Sequence, residues 1–245
     1  MRRIIRQYGL MLKWQALSQK PLLPLNMAVQ IMIAIGFVIG LSFFYPQIDP
    51  NTAKYLTTGA PTIILLMIGL VLLPQIVGMA RTEGTFDYIW SLPVPRMVYV
   101  AADATIWVVV ALPGVIVALA MGAVYFDFSL SVSPLVVPAL LLISISGVSL
   151  GYTLAHGAPR PEMAHVATQI LVFAIMIFSP VLYPVEQLPD WLAKVHSVLP
   201  IQYMANLSRG TLTDLEVDLG LAFIVVGAWC AVGLVATNYF IRRRG

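Results

Sequence analysis

Three histidines, His156, His165 and His196, and one cysteine, Cys230, are the side chains of this 245-residue chain best suited to hold a metal or serve as base and nucleophile. None is spaced from another as zinc ligands are, so no metal centre is expected. No serine, threonine or cysteine stands in a nucleophile motif. A phosphate-cradling loop ends in Gly-Lys, and that pair occurs nowhere, so the chain cannot supply such a loop. Asp103 is the one acid within an apolar run, where a charge costs about 2.5–3.5 kcal/mol on insertion scales. It reads as a structural acid, protonated or paired near the end of its run, or as a group used in gating or coupling. Catalysis, and a cofactor in this chain, are not indicated.

The elements that would position these groups follow from composition. The chain is 60% hydrophobic and 10% charged, too little polar surface for a soluble fold. Apolar runs of at least about 18 residues read as spanning helices. There are six, near residues 22–45, 57–80, 97–125, 134–156, 163–179 and 219–241. The expected fold is an all-α membrane protein of six transmembrane helices forming a single membrane domain over 1–245. With the amino terminus cytoplasmic, eleven of the fourteen lysines and arginines fall on the inner side, and only Lys54, Lys194 and Arg209 on the outer. The positive-inside rule therefore places both termini in the cytoplasm and makes nucleic-acid binding an unneeded explanation of the +3 charge. Cys230 alone permits no internal disulfide. The charged amino terminus does not read as a cleaved signal.

Between the spans lie polar islands. Residues 1–20 place Arg2, Arg6, Lys13 and Lys20 on one helical face and Met1, Ile4, Tyr8, Met11 and Leu12 on the other, as in a helix lying in the inner interface. Gly36 and Gly40 in the first run are spaced to admit a neighbouring helix. Residues 46–56, with Pro46, Asp49, Pro50 and Asn51, read as a loop. Residues 81–96 form a charged amphipathic island. Read as one helix, it puts Glu83 and Asp87 on one side and Phe86, Ile89 and Trp90 on another, until Pro93 and Pro95 stop it. Pro113 predicts a kink in the third run. Ser144, Ser146, Gly147, Ser149 and Gly151 give the fourth run a small-residue surface, for close packing or for a substrate-facing wall. Ser144 and Ser149, with Thr168 and Gln169 in the fifth run, are the candidate substrate-path residues. Residues 183–210 carry Pro184, Pro189, Trp191 and Pro200 among apolar residues including Leu192, Val195, Val198 and Leu199. That stretch is too polar to span and too apolar for a free loop, and reads as short helices dipping into the outer leaflet. Arg242, Arg243 and Arg244 close the chain as an inner anchor.

Arg81-Thr-Glu-Gly-Thr-Phe-Asp followed by Pro93 resembles the cytoplasmic Arg-x-x-Gly-Thr…Pro element of type-two ABC export permeases. The run Tyr183-Pro184, Leu188-Pro-Asp-Trp191 and Leu199-Pro-Ile-Gln-Tyr203, with Arg209, resembles the segment those permeases carry between their fifth and sixth spans. The resemblance covers nearly the whole chain in order. It implies a permease subunit without ATPase activity of its own, paired with a second permease chain (a homodimer or heterodimer) and with cytoplasmic ATP-binding-cassette ATPase subunits that hold ATP and Mg. It also implies contact with the ATPase through the amino-terminal helix and a coupling helix centred on Arg81, Glu83, Gly84, Thr85 and Asp87. The family's acidic residue before the arginine is Ala80 here. The expected activity is export of an apolar or amphiphilic compound, drug-like or lipid, across the cell membrane. Alternatives are a proton-driven transporter using Asp103, which should show repeated halves that are not found here, and a scaffold that docks a partner through the same island.

Overall fold

A computed structural model describes residues 2–43 and 48–243, apart from the Phe86 side chain. The described residues fold as helices without strands. Helix α1 (Arg2–Gln19) precedes the spans α2 (Leu23–Gly40) and α3 (Pro50–Thr82). The short α4 (Thr85–Ser91) leads into the spans α5 (Arg96–Tyr125), α6 (Val136–Gly157) and α7 (Pro161–Phe178). Then come α8 (Asp190–His196), α9 (Pro200–Leu212) and the last span, α10 (Leu219–Arg243). Six helices are thus long and apolar enough to cross a membrane. Alternation of the spans puts α1, α4, the 158–160 turn and the end of α10 at one end of the bundle, the basic end. The segments 126–135 and 179–218 lie at the other.

Several expectations are corrected. Residues 50–56, read as loop, are the first turns of α3. Asp49 caps them, its side chain accepting from the amides of Asn51 at 3.1 Å and Thr52 at 3.4 Å, and Pro50 takes the first helical position, where its missing donor is harmless. The turn formers were helix-start signals. The Thr52 hydroxyl, with these amides, holds Asp49 below the ordinary carboxylate range. Gly36 and Gly40 lie in a π-helical turn, and a Cβ at either would meet nothing within 4 Å. In α1 the packed face is Tyr8, Met11, Leu12 and Gln15, Ile4 is exposed, and Lys20 falls in the turn beyond. The expectations on Met1, Tyr45, Pro46 and Arg244 lie outside the described residues.

What holds spans together in lipid differs from water, because hydrocarbon is as apolar as leucine and gives little reason for Leu-rich faces to associate. Close backbone approach and interhelical hydrogen bonds must do so. The fourth span meets the second where both lack side chains. A Cβ on Gly69 would run into the Gly147 backbone, and one on Gly151 into the Gly69 carbonyl. The second span takes a π-helical turn at this crossing, Ile68–Leu72. Toward α10 the fourth span instead offers hydroxyls. Thr237 Oγ1 donates to the Ser149 carbonyl at 2.8 Å, Thr153 Oγ1 donates to the Gly233 carbonyl at 3.2 Å, and Ser146 Oγ reaches the Val226 carbonyl at 3.4 Å. Each such bond contributes about 0.6 kcal/mol on average, so the seam depends on their number and on the small residues between them.

At the opposite end, the buried Arg209 of α9 does most of the tying. Its guanidinium donates to the Val181 carbonyl at 2.7 Å and to Asn206 Oδ1 at 3.2 Å, and stacks 4.1 Å above the Tyr55 ring. Burial pushes its pKa down to about 10, which leaves it charged at neutral pH. The neighbouring Lys54–Asp214 pair, 2.5 Å long, is open to solvent on the aspartate side. Exposed pairs contribute only about 0–1 kcal/mol, against about 1.5–3 for hydrogen bonds to a charged group, so Arg209 is the stronger pin.

Candidate functional site

The basic end presents a helix turned out of the bundle. The second span continues past Arg81 to Thr82, then Gly84 takes φ +72°, a left-handed conformation nearly free for glycine and costly for other residues. This break, absent from the sequence reading of 81–96 as one helix, leaves Glu83 in the turn and Asp87 on the helix after it. Glu83 caps the carboxyl end of α3 from the turn, and Asp87 lies in the first turn of α4, where a carboxylate suits the positive end of the helix dipole.

Three contacts fix the short helix. Ile89 is buried, the Trp90 ring meets Tyr99 edge-on at 5.7 Å, and Arg96 lies over Trp90 at 5.3 Å. Gln7 of α1 donates to the Pro93 carbonyl at 2.8 Å, so the amino-terminal helix holds the exit. Pro93 and Pro95 follow the end of α4 at Ser91, and α5 starts at Arg96. Glu83, Gly84, Asp87, Tyr88 and Ser91 are left exposed, with Thr85 half-buried. Arg81, carried over as part of the contact surface, turns inward instead and donates to the Ala155 carbonyl of the fourth span at 2.9 Å. The island is thereby joined to α1, α3, α5 and α6 at once.

Asp103 lies in the core near the same end. Tyr152 of the fourth span donates its hydroxyl to Asp103 Oδ2 at 2.6 Å, and both residues are buried. Tyr152 stacks in turn on His156 at 5.6 Å. Span three, which leaves the island, is therefore bolted to span four, which the island grips through Arg81.

Hollows line the second and fifth spans in succession. One of about 400 Å³ opens at the basic end between α3 and α7, bordered by Gln75, Thr82, Glu162 and His165. Midway the same helices enclose only about 10 Å³, between Leu66, Leu70, Val172 and Met176. At the opposite end about 300 Å³ lies between α7 and α8. The exposed flank of α7, with Val166, Ile170, Phe173 and Ile177, runs the length of this track. Of the candidate path residues, Thr168 is buried on α7 between the hollows and bonds its own helix at His165, and Gln169 is half-buried beside it. Ser144 and Ser149 are not on the track. Both are buried and bond carbonyls of their own helix, and Ser149 borders a separate apolar hollow of about 450 Å³ beside α1, α5 and α10. Sequence reasoning missed Gln75, although it is the one amide in the second apolar run.

Pro184 precedes a single 3-10 turn, Val185–Gln187, and Pro189 and Pro200 precede α8 and α9. Trp191 is exposed with Val195 and Val198, while Leu192 and His196 form the packed face of α8.

A bundle of six spans, with an amphipathic helix at its start and a short helix standing off its second and third spans, defines a multi-pass membrane protein. The sequence profile of the ABC-2 type transporters matches residues 7–213, and the chain belongs to that family. The membrane domain of these transporters is the permease component and not the ATPase, and works with cytoplasmic ABC ATPase partners. Comparison with curated proteins returns no significant match.

Proposed function

We propose that the chain is the permease subunit of an ATP-driven exporter that moves an apolar or amphiphilic compound, drug-like or lipid, out of the cytoplasm or inner leaflet. It lies in the cell membrane with both termini cytoplasmic, pairs with a second permease chain, and is driven by two ATPase subunits that carry ATP and Mg. The observation that carries this reading is α4: a seven-residue helix whose exposed side holds Asp87 and Tyr88 and whose packed side lies against spans two and three, span two being tied in turn to span four by Arg81. Displacing it moves those spans together. An ATP-bound partner that contacts this helix better in one arrangement of the bundle shifts the population toward that arrangement, and contacts equal in both would do nothing. The track along α3 and α7, pinched at its middle, supports a closed half-pathway that a second chain completes. Its walls are mostly apolar, in keeping with apolar cargo.

The complex purified from cells should bring an ATP-binding-cassette subunit with it, and cargo should stimulate its ATPase activity. Co-purification without stimulation would favour the scaffold reading.

The position of Asp103 separates export driven by ATP from export driven by protons. Asn in place of Asp103 still offers an oxygen to the Tyr152 hydroxyl, so Asp103→Asn should transport normally if the pair is a brace and lose transport if Asp103 carries the proton. Tyr152→Phe leaves the carboxyl without this partner, at a cost of about 1–3 kcal/mol. It should lower the unfolding temperature of the purified chain more than Asp103→Asn does.

A further inference from the structure

Spans three and six both lie against span four, and at the basic end they are tied to each other, Arg96 donating to the Ile241 carbonyl at 2.6 Å. Beyond this tie a hollow of about 450 Å³ opens between them. Met97 and Val109 of span three, Ile145 and Ser149 of span four and Leu234 of span six wall it, with Tyr8 of α1 beside them. Its polar groups are already engaged: the Tyr8 and Thr105 hydroxyls bond each other at 2.7 Å, and Ser149 Oγ donates to the Ser146 carbonyl at 2.9 Å. The walls therefore suit hydrocarbon and not water. Ala101, Val109 and Ile145 are exposed at its rim, so it opens sideways, toward the bilayer. From Met97 to Val109 is about 18 Å at a rise of about 1.5 Å per residue, and one leaflet is about 15 Å deep, half of a hydrocarbon core of roughly 30 Å. An acyl chain standing in its leaflet matches that length.

Charge at the hollow's basic end says what the chain should carry. Met97, which lines it, follows Arg96, and Leu234, Asn238 and Arg242 succeed one another down one face of span six toward the same end. Arg242 is exposed and its Nε donates to Asn238 Oδ1 at 3.1 Å. Neither Arg96 nor Arg242 pairs with a carboxylate among the described residues, and each guanidinium keeps further N–H donors whose fork suits a phosphate. Basic side chains between spans at the cytoplasmic side are where acidic lipid heads are held. We infer that this hollow is the site of a resident anionic phospholipid, one acyl chain lying along span three and the phosphate on Arg96 and Arg242. It fills the gap that α1, span three and span six leave over span four. The α3–α7 track runs along spans two and five, so this lipid is a bound component and not cargo. The inference rests on the permease reading only for naming the leaflet as the cytoplasmic one.

Native mass spectrometry of the full chain in detergent reads the site without ATPase or transport. The probes are dioleoyl-phosphatidylglycerol and dioleoyl-phosphatidylcholine in equal amounts, whose tails are identical, so a preference reports the head. One phosphatidylglycerol per chain should be retained ahead of phosphatidylcholine. Arg242→Gln and Arg96→Gln should each lower that preference about fivefold, as expected for one arginine near an acidic head. Lys13→Gln, on the side of α1 turned away from Tyr8, should leave it unchanged. Ala101→Trp, at the exposed rim, should block the hollow and displace the lipid. Thermal unfolding of the same variants separates a lost site from a lost fold, and the exposed Arg242 decides the matter if Ala101→Trp does not fold. Equal retention of the two lipids would overturn the site, as would an equal loss in Lys13→Gln or retention undisturbed in a folded Ala101→Trp chain. Failure here leaves coupling through α4 standing, and failure of that coupling would leave the lipid result intact.

Discussion

A Gly84→Pro chain is expected to insert and keep its six spans, yet to hydrolyse ATP with its partner while exporting nothing. Proline fixes φ near −65°, whereas this position sits at +72°, so the turn between the second span and α4 cannot form as it stands. No side chain crowds the site, since a Cβ there meets nothing within 4 Å, so the effect is conformational and local. A graded series sharpens the expectation. Asparagine visits the left-handed region readily and Gly84→Asn should be close to normal. Gly84→Ala should suffer the left-handed penalty of about 1–2 kcal/mol, enough to shift a two-state balance by about 5–30-fold. Transport per ATP hydrolysed, measured in proteoliposomes holding the whole complex, reads the series. Glu83→Ala, next to the break and exposed, should also lower that ratio while leaving insertion intact. Normal export by a well-folded Gly84→Pro protein would remove α4 from the mechanism.

The second large effect is expected at the crossing of the second and fourth spans. In Gly151→Ala one methyl group would land on the Gly69 carbonyl oxygen, a backbone atom that cannot swing aside. Overpacking costs typically about 1–3 kcal/mol and sometimes more, and a backbone clash belongs at the high end. Gly151→Leu should prevent the purified chain from holding a cooperative fold. Gly227→Ala is the control, because a Cβ there meets nothing within 4 Å. Thermal unfolding in detergent should show a large drop in Tm for Gly151→Ala and little for Gly227→Ala; similar drops would show that the crossing has no special place in the bundle.

The spans were legible because apolar runs in this chain end at charges or prolines, and a helix must fill the bilayer whatever it packs against. Thus the expected third span, 97–125, matches Arg96–Tyr125, and the sixth, 219–241, falls within Leu219–Arg243. The fourth span's small surface was legible as packing, although which glycine would meet which carbonyl was not. Turn residues misled at 50–56, since Asp followed by Pro signals a loop and a capped helix start alike. Around the site, residue type told less than backbone torsion. Nothing in the composition of 81–96 distinguishes one helix from two, and only the left-handed Gly84 separates Glu83 from Asp87. Arg81 was placed in the contact surface by its position in the family motif, yet a carbonyl of the fourth span lies within its reach. Gln75 became visible only when α7 was placed beside α3, because a hollow belongs to no single stretch of sequence.

Everything rests on α4 being the point where an ATP-consuming partner grips the bundle. Asp87 lies on its exposed side, and Cys230, the sole native thiol, is buried, so Asp87→Cys in a Cys230→Ala background introduces one accessible sulfur. In intact cells a membrane-impermeant maleimide should fail to label position 87, and a short thiol crosslinker added to inside-out vesicles should join it to the ATPase subunit. Labelling from outside, or no crosslink to any nucleotide-binding subunit in vesicles that still transport, would contradict the account.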